Sequence, residues 1–142
     1  MKKITLILTA SALITAISSV SADEKPGASE KPTQHLKLPD VTSAEQATKV
    51  MKETTKKLKA KKELNAAELS EIHIITYSLE KSIAYFADNT KGDQQAIAKK
   101  MAVVVEEVHL NSENNRKEET RKALDSYFKL KKSFSKGMAK AK

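Results

Sequence analysis

The chain contains no cysteine. That excludes a disulfide staple, a thiolate metal site, an acylated lipoprotein cysteine and a haem attached through a Cys-x-x-Cys-His motif, so the fold has to be held by packing. Proline and glycine are also scarce, with three of each in 142 residues. The prolines, Pro26, Pro32 and Pro39, all fall before Val41, and neither residue type occurs from Val41 to Lys91 or from Asp93 to Lys136. Long stretches without breakers, rich in Ala, Lys, Glu and Leu, favour helix. There is no Gly-rich phosphate loop, no zinc-protease motif and no Ser/His/Asp order. The paired carboxylates Glu106-Glu107 and Glu118-Glu119 read as solvated faces, and the expectation is a protein that is not an enzyme.

The N-terminal residues carry the order of a secretory signal. Lys2 and Lys3 precede an apolar run from Ile4 to Val20, and Val20-Ser21-Ala22 offers small residues where a signal peptidase reads. At about 17 residues, diluted by Thr and Ser, the run is short for a membrane span. Cleavage after Ala22 leaves residues 23–142, enough for one domain with one core. The expected organisation is a signal peptide at 1–22, a flexible leader at 23–42, a helical domain at 43–135 and a basic tail at 136–142. The expected compartment is the periplasm. The net charge of +8 falls to +6 when Lys2 and Lys3 leave with the signal. Outside the cytoplasm such a charge meets anionic lipids or acidic proteins rather than nucleic acid, and it also serves solubility alone.

Four helices are predicted. Ser43 with Gln46 forms a capping box for the first, whose stripe is Ala47, Val50, Met51, Thr54 and Leu58. The second starts after Asn65, with Glu68 completing the cap and Leu64 and Leu69 forming a hydrophobic staple. Its stripe, Leu69, Ile72, Thr76, Leu79, Ile83 and Phe86, advances in steps of three and four. The third is expected after Asp93 as cap, with Ile97, Met101, Val104 and Val108 inward and Val105 beside them. The fourth is expected near Asn115, capped with Glu118, with Thr120, Ala123, Leu124, Tyr127, Leu130 and Phe134 inward. An unbroken helix from Gln94 to Phe134 would be about 60 Å long and could not bury its face in so small a protein, so a turn is expected at residues 111–114. Short connections favour antiparallel neighbours, hence an all-α, up-down-up-down four-helix bundle.

His73 and His109 are the candidate metal ligands. They sit in similar strings, Glu71-Ile72-His73 and Glu107-Val108-His109, at the edges of their stripes. In antiparallel neighbours they fall at the same end of the bundle. Imidazole suits transition metals. Glu106 and His109 share a face, but a carboxylate-bridged di-iron site needs a second Glu-x-x-His pair, and the second helix has Ser70 where that glutamate belongs. No cofactor is demanded by the sequence. A two-histidine metal site, or a non-covalent haem using Met51 or Met101, is what the pair permits, against the alternative of histidines hydrogen-bonded at the core boundary. His35, in the leader, carries little weight.

A second apolar line lies away from the core stripes: Ile74, Tyr77 and Tyr85 on the second helix, Val103 and Leu110 on the third. It is the candidate surface for a protein partner or for self-association. The basic end, with Lys129, Lys131, Lys132, Lys136, Lys140 and Lys142 interleaved with Phe128, Phe134 and Met138, suits peripheral contact with an anionic membrane. Lysines also complement a helix C-terminus without any partner.

The strings Leu69-Ser-Glu-Ile-His-Ile-Ile-Thr-Tyr-Ser-Leu-Glu80 and Glu106-Glu-Val-His-Leu-Asn-Ser-Glu113 resemble a family of small exported helical proteins of gammaproteobacteria, classed as a domain of unknown function. The resemblance spans roughly residues 43–134. It implies the fold and the compartment and carries no activity. It singles out His73, Tyr77, Glu80, His109, Ser112 and Glu113, the positions that match the family's strings.

Overall fold

The computed structural model describes residues 38–140, and the account below is of these. The expected signal peptide, His35, most of the expected leader and the last two residues of the expected tail lie outside them. Four helices follow in order: α1 (Ala44–Ala60), α2 (Ala66–Asn89), α3 (Gly92–Glu113) and α4 (Lys117–Lys140). No strand occurs among the described residues. Successive helices pack against each other through short connections, giving an all-α four-helix bundle. None of the described helices is long and apolar enough to cross a membrane.

The first two helix starts follow from side-chain chemistry. Ser43 Oγ accepts from the Gln46 N–H at 3.2 Å, while the Gln46 side chain accepts from the Thr42 N–H at 3.0 Å. Asn65 Oδ1 accepts from the Glu68 N–H at 3.0 Å, and the Glu68 carboxylate accepts from the Leu64 N–H at 2.7 Å. Leu64 and Leu69 are both buried, completing the staple. Leu64 makes this turn in the left-handed region, at φ 47°.

The other two starts differ from the sequence expectation. Helix α3 begins at Gly92, with Lys91 as a cap that makes no side-chain hydrogen bond; Asp93 lies inside the first turn, where its charge favours the helix dipole. Gly92 has φ +58°, so glycine sets the reversal after α2. Asn115 does not cap α4. It takes φ 54° and closes α3: its N–H donates to the Ser112 carbonyl at 3.2 Å, and the Arg116 N–H donates to the Asn111 carbonyl at 2.8 Å. This is a Schellman closure, with asparagine tolerating the left-handed conformation. The break therefore comes at Asn114–Arg116, just past the expected turn.

The α2 stripe is buried as expected, with Ile72, Leu79 and Ile83 inaccessible. On α3 the inward face is shifted by one position at two places: Ala98 and Val105 are buried, while Ile97 and Val104 are only half-buried. Val50 and Leu130 are likewise half-buried at the core edge. Helix α4 continues past residue 135 to Lys140, because Phe134 is buried and Met138 packs on the core, giving the last turns something to hold. Between α1 and α4 the backbones stand further apart than between successive helices. A buried hydrogen bond of 2.6 Å between Tyr127 and Thr55 bridges them.

Candidate metal centre

The centre lies at the α2–α3 seam. A step of four residues puts His73 and Tyr77 on one face of α2, and Thr76 and Glu80 on the adjoining one; the same step puts His109 and Glu113 on one face of α3. Antiparallel packing then brings the faces together. The His73 and His109 ring centroids are 4.5 Å apart, and the Tyr77 ring meets them edge-on at 5.1 Å and 4.9 Å.

The hydrogen bonds fix the chemistry of each ring nitrogen. The Thr76 hydroxyl donates to the His73 carbonyl at 2.6 Å. Its one proton is thereby used, so it accepts from His109 Nδ1–H, 2.9 Å away. Glu80 Oε1 lies 3.3 Å from the same nitrogen. With Nδ1 carrying the proton, the lone pair of neutral His109 is on Nε2. On His73, Nε2 is engaged with the Tyr77 hydroxyl at 3.0 Å, whereas Nδ1 is buried with no hydrogen-bond partner.

The two rings are pushed in opposite directions. Glu80, hydrogen-bonded and negatively charged beside His109, raises its pKa against the opposing effect of burial. Burial, followed by the nearby charge of His109, lowers the pKa of His73; the charge of Glu113 and the His109 backbone oppose this. Tyr77 is raised by burial and then by Glu113 and Glu80, so it stays a neutral phenol.

One ligand atom from each of His73, His109 and Glu113 lies within 4.8 Å of the others. A tetrahedral first-row metal, bound at about 2.0–2.1 Å, holds its ligand atoms about 3.3 Å apart, so modest side-chain rotation closes the triangle. A cleft of about 280 Å³, lined by Ser70, His73, Ser112 and Glu113 among others, opens beside it. The Ser112 hydroxyl donates to the His109 carbonyl at 2.9 Å and fixes the last turn of α3 under the site.

These positions are the ones that the two motif strings single out. The chain matches the family described as a family of unknown function, DUF6746, over residues 1–136. It belongs to DUF6746. No curated protein and no solved structure matches it. In this DUF6746 chain both sequence-predicted ligands, His73 and His109, come together. Glu106, their expected neighbour, is exposed and stays outside the triangle. Glu113 was singled out by the motif strings but not assigned as a ligand; its four-residue step from His109 was the available signal. Thr76, counted as a core residue, was missed as the group that sets the His109 tautomer.

The second apolar line divides. Ile74, Val103 and Leu110 are exposed, at 52%, 63% and 39%. Tyr77 does not belong with them: it is buried, because its ring packs edge-on beside both histidines. Tyr85 is half-buried and packs on the core edge.

Proposed function

We propose that this protein is a non-enzymatic, exported helical bundle that binds a divalent transition metal through His73, His109 and Glu113. The observation that carries the reading is the convergence of three ligand atoms, one each from His73, His109 and Glu113, within 4.8 Å of one another. One ring nitrogen of each histidine and one Glu113 carboxylate oxygen would be the donors. Thr76 holds the His109 ring through Nδ1 and Tyr77 the His73 ring through Nε2, as outer-shell groups do around metal-bound histidine. Two imidazoles and one carboxylate suit Zn²⁺ or Cu²⁺. A haem suits the pair poorly, since rings at a centroid distance of 4.5 Å leave no room for a porphyrin between them. The periplasm remains the proposed compartment, on the strength of the signal-like N-terminus.

Calorimetric titration of residues 23–142 with Zn²⁺ and with Cu²⁺ tests the reading. One-to-one binding lost in His73→Ala and in His109→Ala, and weakened in Glu113→Gln, is the expected result. Binding unchanged in both histidine variants would overturn it.

A second reading, a surface for a protein partner or for self-association, rests on Ile74, Val103 and Leu110, whose exposure removes a large apolar group from the core at each position. Ile74→Lys combined with Leu110→Glu should then abolish association with helicity unchanged. An unaltered oligomeric state, measured by sedimentation, would count against it.

A further inference from the structure

The α1–α4 seam is built differently from the other three faces of the bundle. At the end holding the start of α1, a cavity of about 420 Å³ lies between α1 and α4. Its floor is Met51, Phe86, Phe134 and Met138, and Lys52 and Lys131 stand at its edges from opposite helices. No acidic residue lines it. The floor is recessed: Met51, Phe86 and Phe134 are 4%, 2% and 2% exposed. Along α4 the cavity continues, through Lys131 and Ser135, into an open cleft around Phe128 walled by Lys59, Lys129, Lys132 and Lys136, with Asp125 as its single acid. Lys59 sits 5.4 Å over the Phe128 ring.

We infer that this seam binds a single-chain anionic amphiphile of the long-chain fatty-acid class, its chain on the methionine–phenylalanine floor and its carboxylate among Lys52, Lys131 and the neighbouring lysines. Size and charge select this occupant. The cavity is in the range of small-ligand sites, whereas an added helix, about 10 Å across, would need more room. A bilayer plane reaches exposed apolar groups, and the apolar groups here lie below the lysines, where a flexible acyl chain can follow them. Two methionines in the floor let it adjust to a chain of variable length. The clustered ammonium groups, unopposed at the cavity, are complementary to an anionic head. The basic, aromatic end of the chain is thus given a different role from flat membrane contact. The inference is independent of the metal centre, which lies at the α2–α3 seam.

Titration of residues 23–142 with cis-parinaric acid below its critical micelle concentration, read by fluorescence, tests this. Saturable one-to-one binding is expected, weakened at least about tenfold for the methyl ester and in the double variant Lys52→Glu/Lys131→Glu, where attraction becomes repulsion. Ser135→Trp, which fills the mouth of the cavity without touching the buried core, should also weaken binding and retain helicity by circular dichroism. His73→Ala should bind the probe as the wild type does, which separates this site from the metal centre. Three outcomes would overturn the inference: no saturable binding of the free acid, equal binding of acid and ester that neither variant alters, or association only with anionic vesicles.

Discussion

Tyr127 shows how one buried hydroxyl links distant segments. Thr55 donates its proton to the Met51 carbonyl at 2.5 Å, so the Tyr127 O–H is the donor across the α1–α4 gap. Tyr127→Phe should cost about 1 kcal/mol by denaturant unfolding. Burial pushes the phenol from 10.0 up to about 12. The folded state therefore holds this proton more tightly than the unfolded state. Its contribution is full below pH 10 and is lost as pH rises towards 12, by about 2–3 kcal/mol. The wild type should lose stability over that window relative to Tyr127→Phe; parallel pH profiles of the two proteins would refute this. At the proposed metal centre, Thr76→Val leaves His109 Nδ1 without its hydroxyl acceptor. Metal affinity should fall about 10–100-fold, with rescue by Thr76→Ser. Unaltered affinity in the valine variant would show that Thr76 does not orient the ring. His73 and His109 were legible as candidate ligands from their matching strings; Glu113 was marked only by the family resemblance, and its place beside them as a third ligand needed the facing helix.

Helix ends show where local sequence decides and where it does not. Ser43 and Asn65 act as caps because the following Gln46 and Glu68 can reach back, and nothing else competes for them. Asn115 and Glu118 have the same spacing, yet Asn115 closes α3 in the left-handed region. Asparagine is favoured in both roles, and the carbonyls of Asn111 and Ser112, already positioned by the preceding helix, claim the local N–H groups. The turn into α3 depends on Gly92 at φ +58°, where an added Cβ meets nothing within 4 Å. Gly92→Ala should therefore destabilise by about 1–2 kcal/mol through backbone strain rather than a clash. A midpoint unchanged in urea would refute the assignment. On α3 the periodicity gave the stripe to within one position. Choosing Ala98 and Val105 over Ile97 and Val104 needed the positions of α2 and α4, which press on that helix from two sides.

For the whole molecule, packing alone holds the fold, since no disulfide can form. The buried polar bridges Ser82 to the Ala47 carbonyl at 2.7 Å, Tyr127 to Thr55 and Thr76 to His109 tie α1 to α2, α1 to α4 and α2 to α3. A metal bound between α2 and α3 adds to this by mass action. At a free concentration 100 times the dissociation constant the gain is about 2.7 kcal/mol. The melting temperature should rise on addition of Zn²⁺, return on chelation, and stay unchanged in His73→Ala. A shift of equal size in that variant would place the metal elsewhere.

The sequence by itself determined the number of helices, the inward stripe of α2, the caps of α1 and α2 and the end of the bundle at which both histidines fall. Each of these depends on residues within a few positions of one another, where helical spacing fixes geometry. Only the tertiary structure decided that Tyr77 packs edge-on against both histidines, that Glu113 joins them, and that an apolar floor lies under lysines between α1 and α4. Those features depend on the distance between facing helices, which side-chain volumes across the whole core set together and no local pattern encodes.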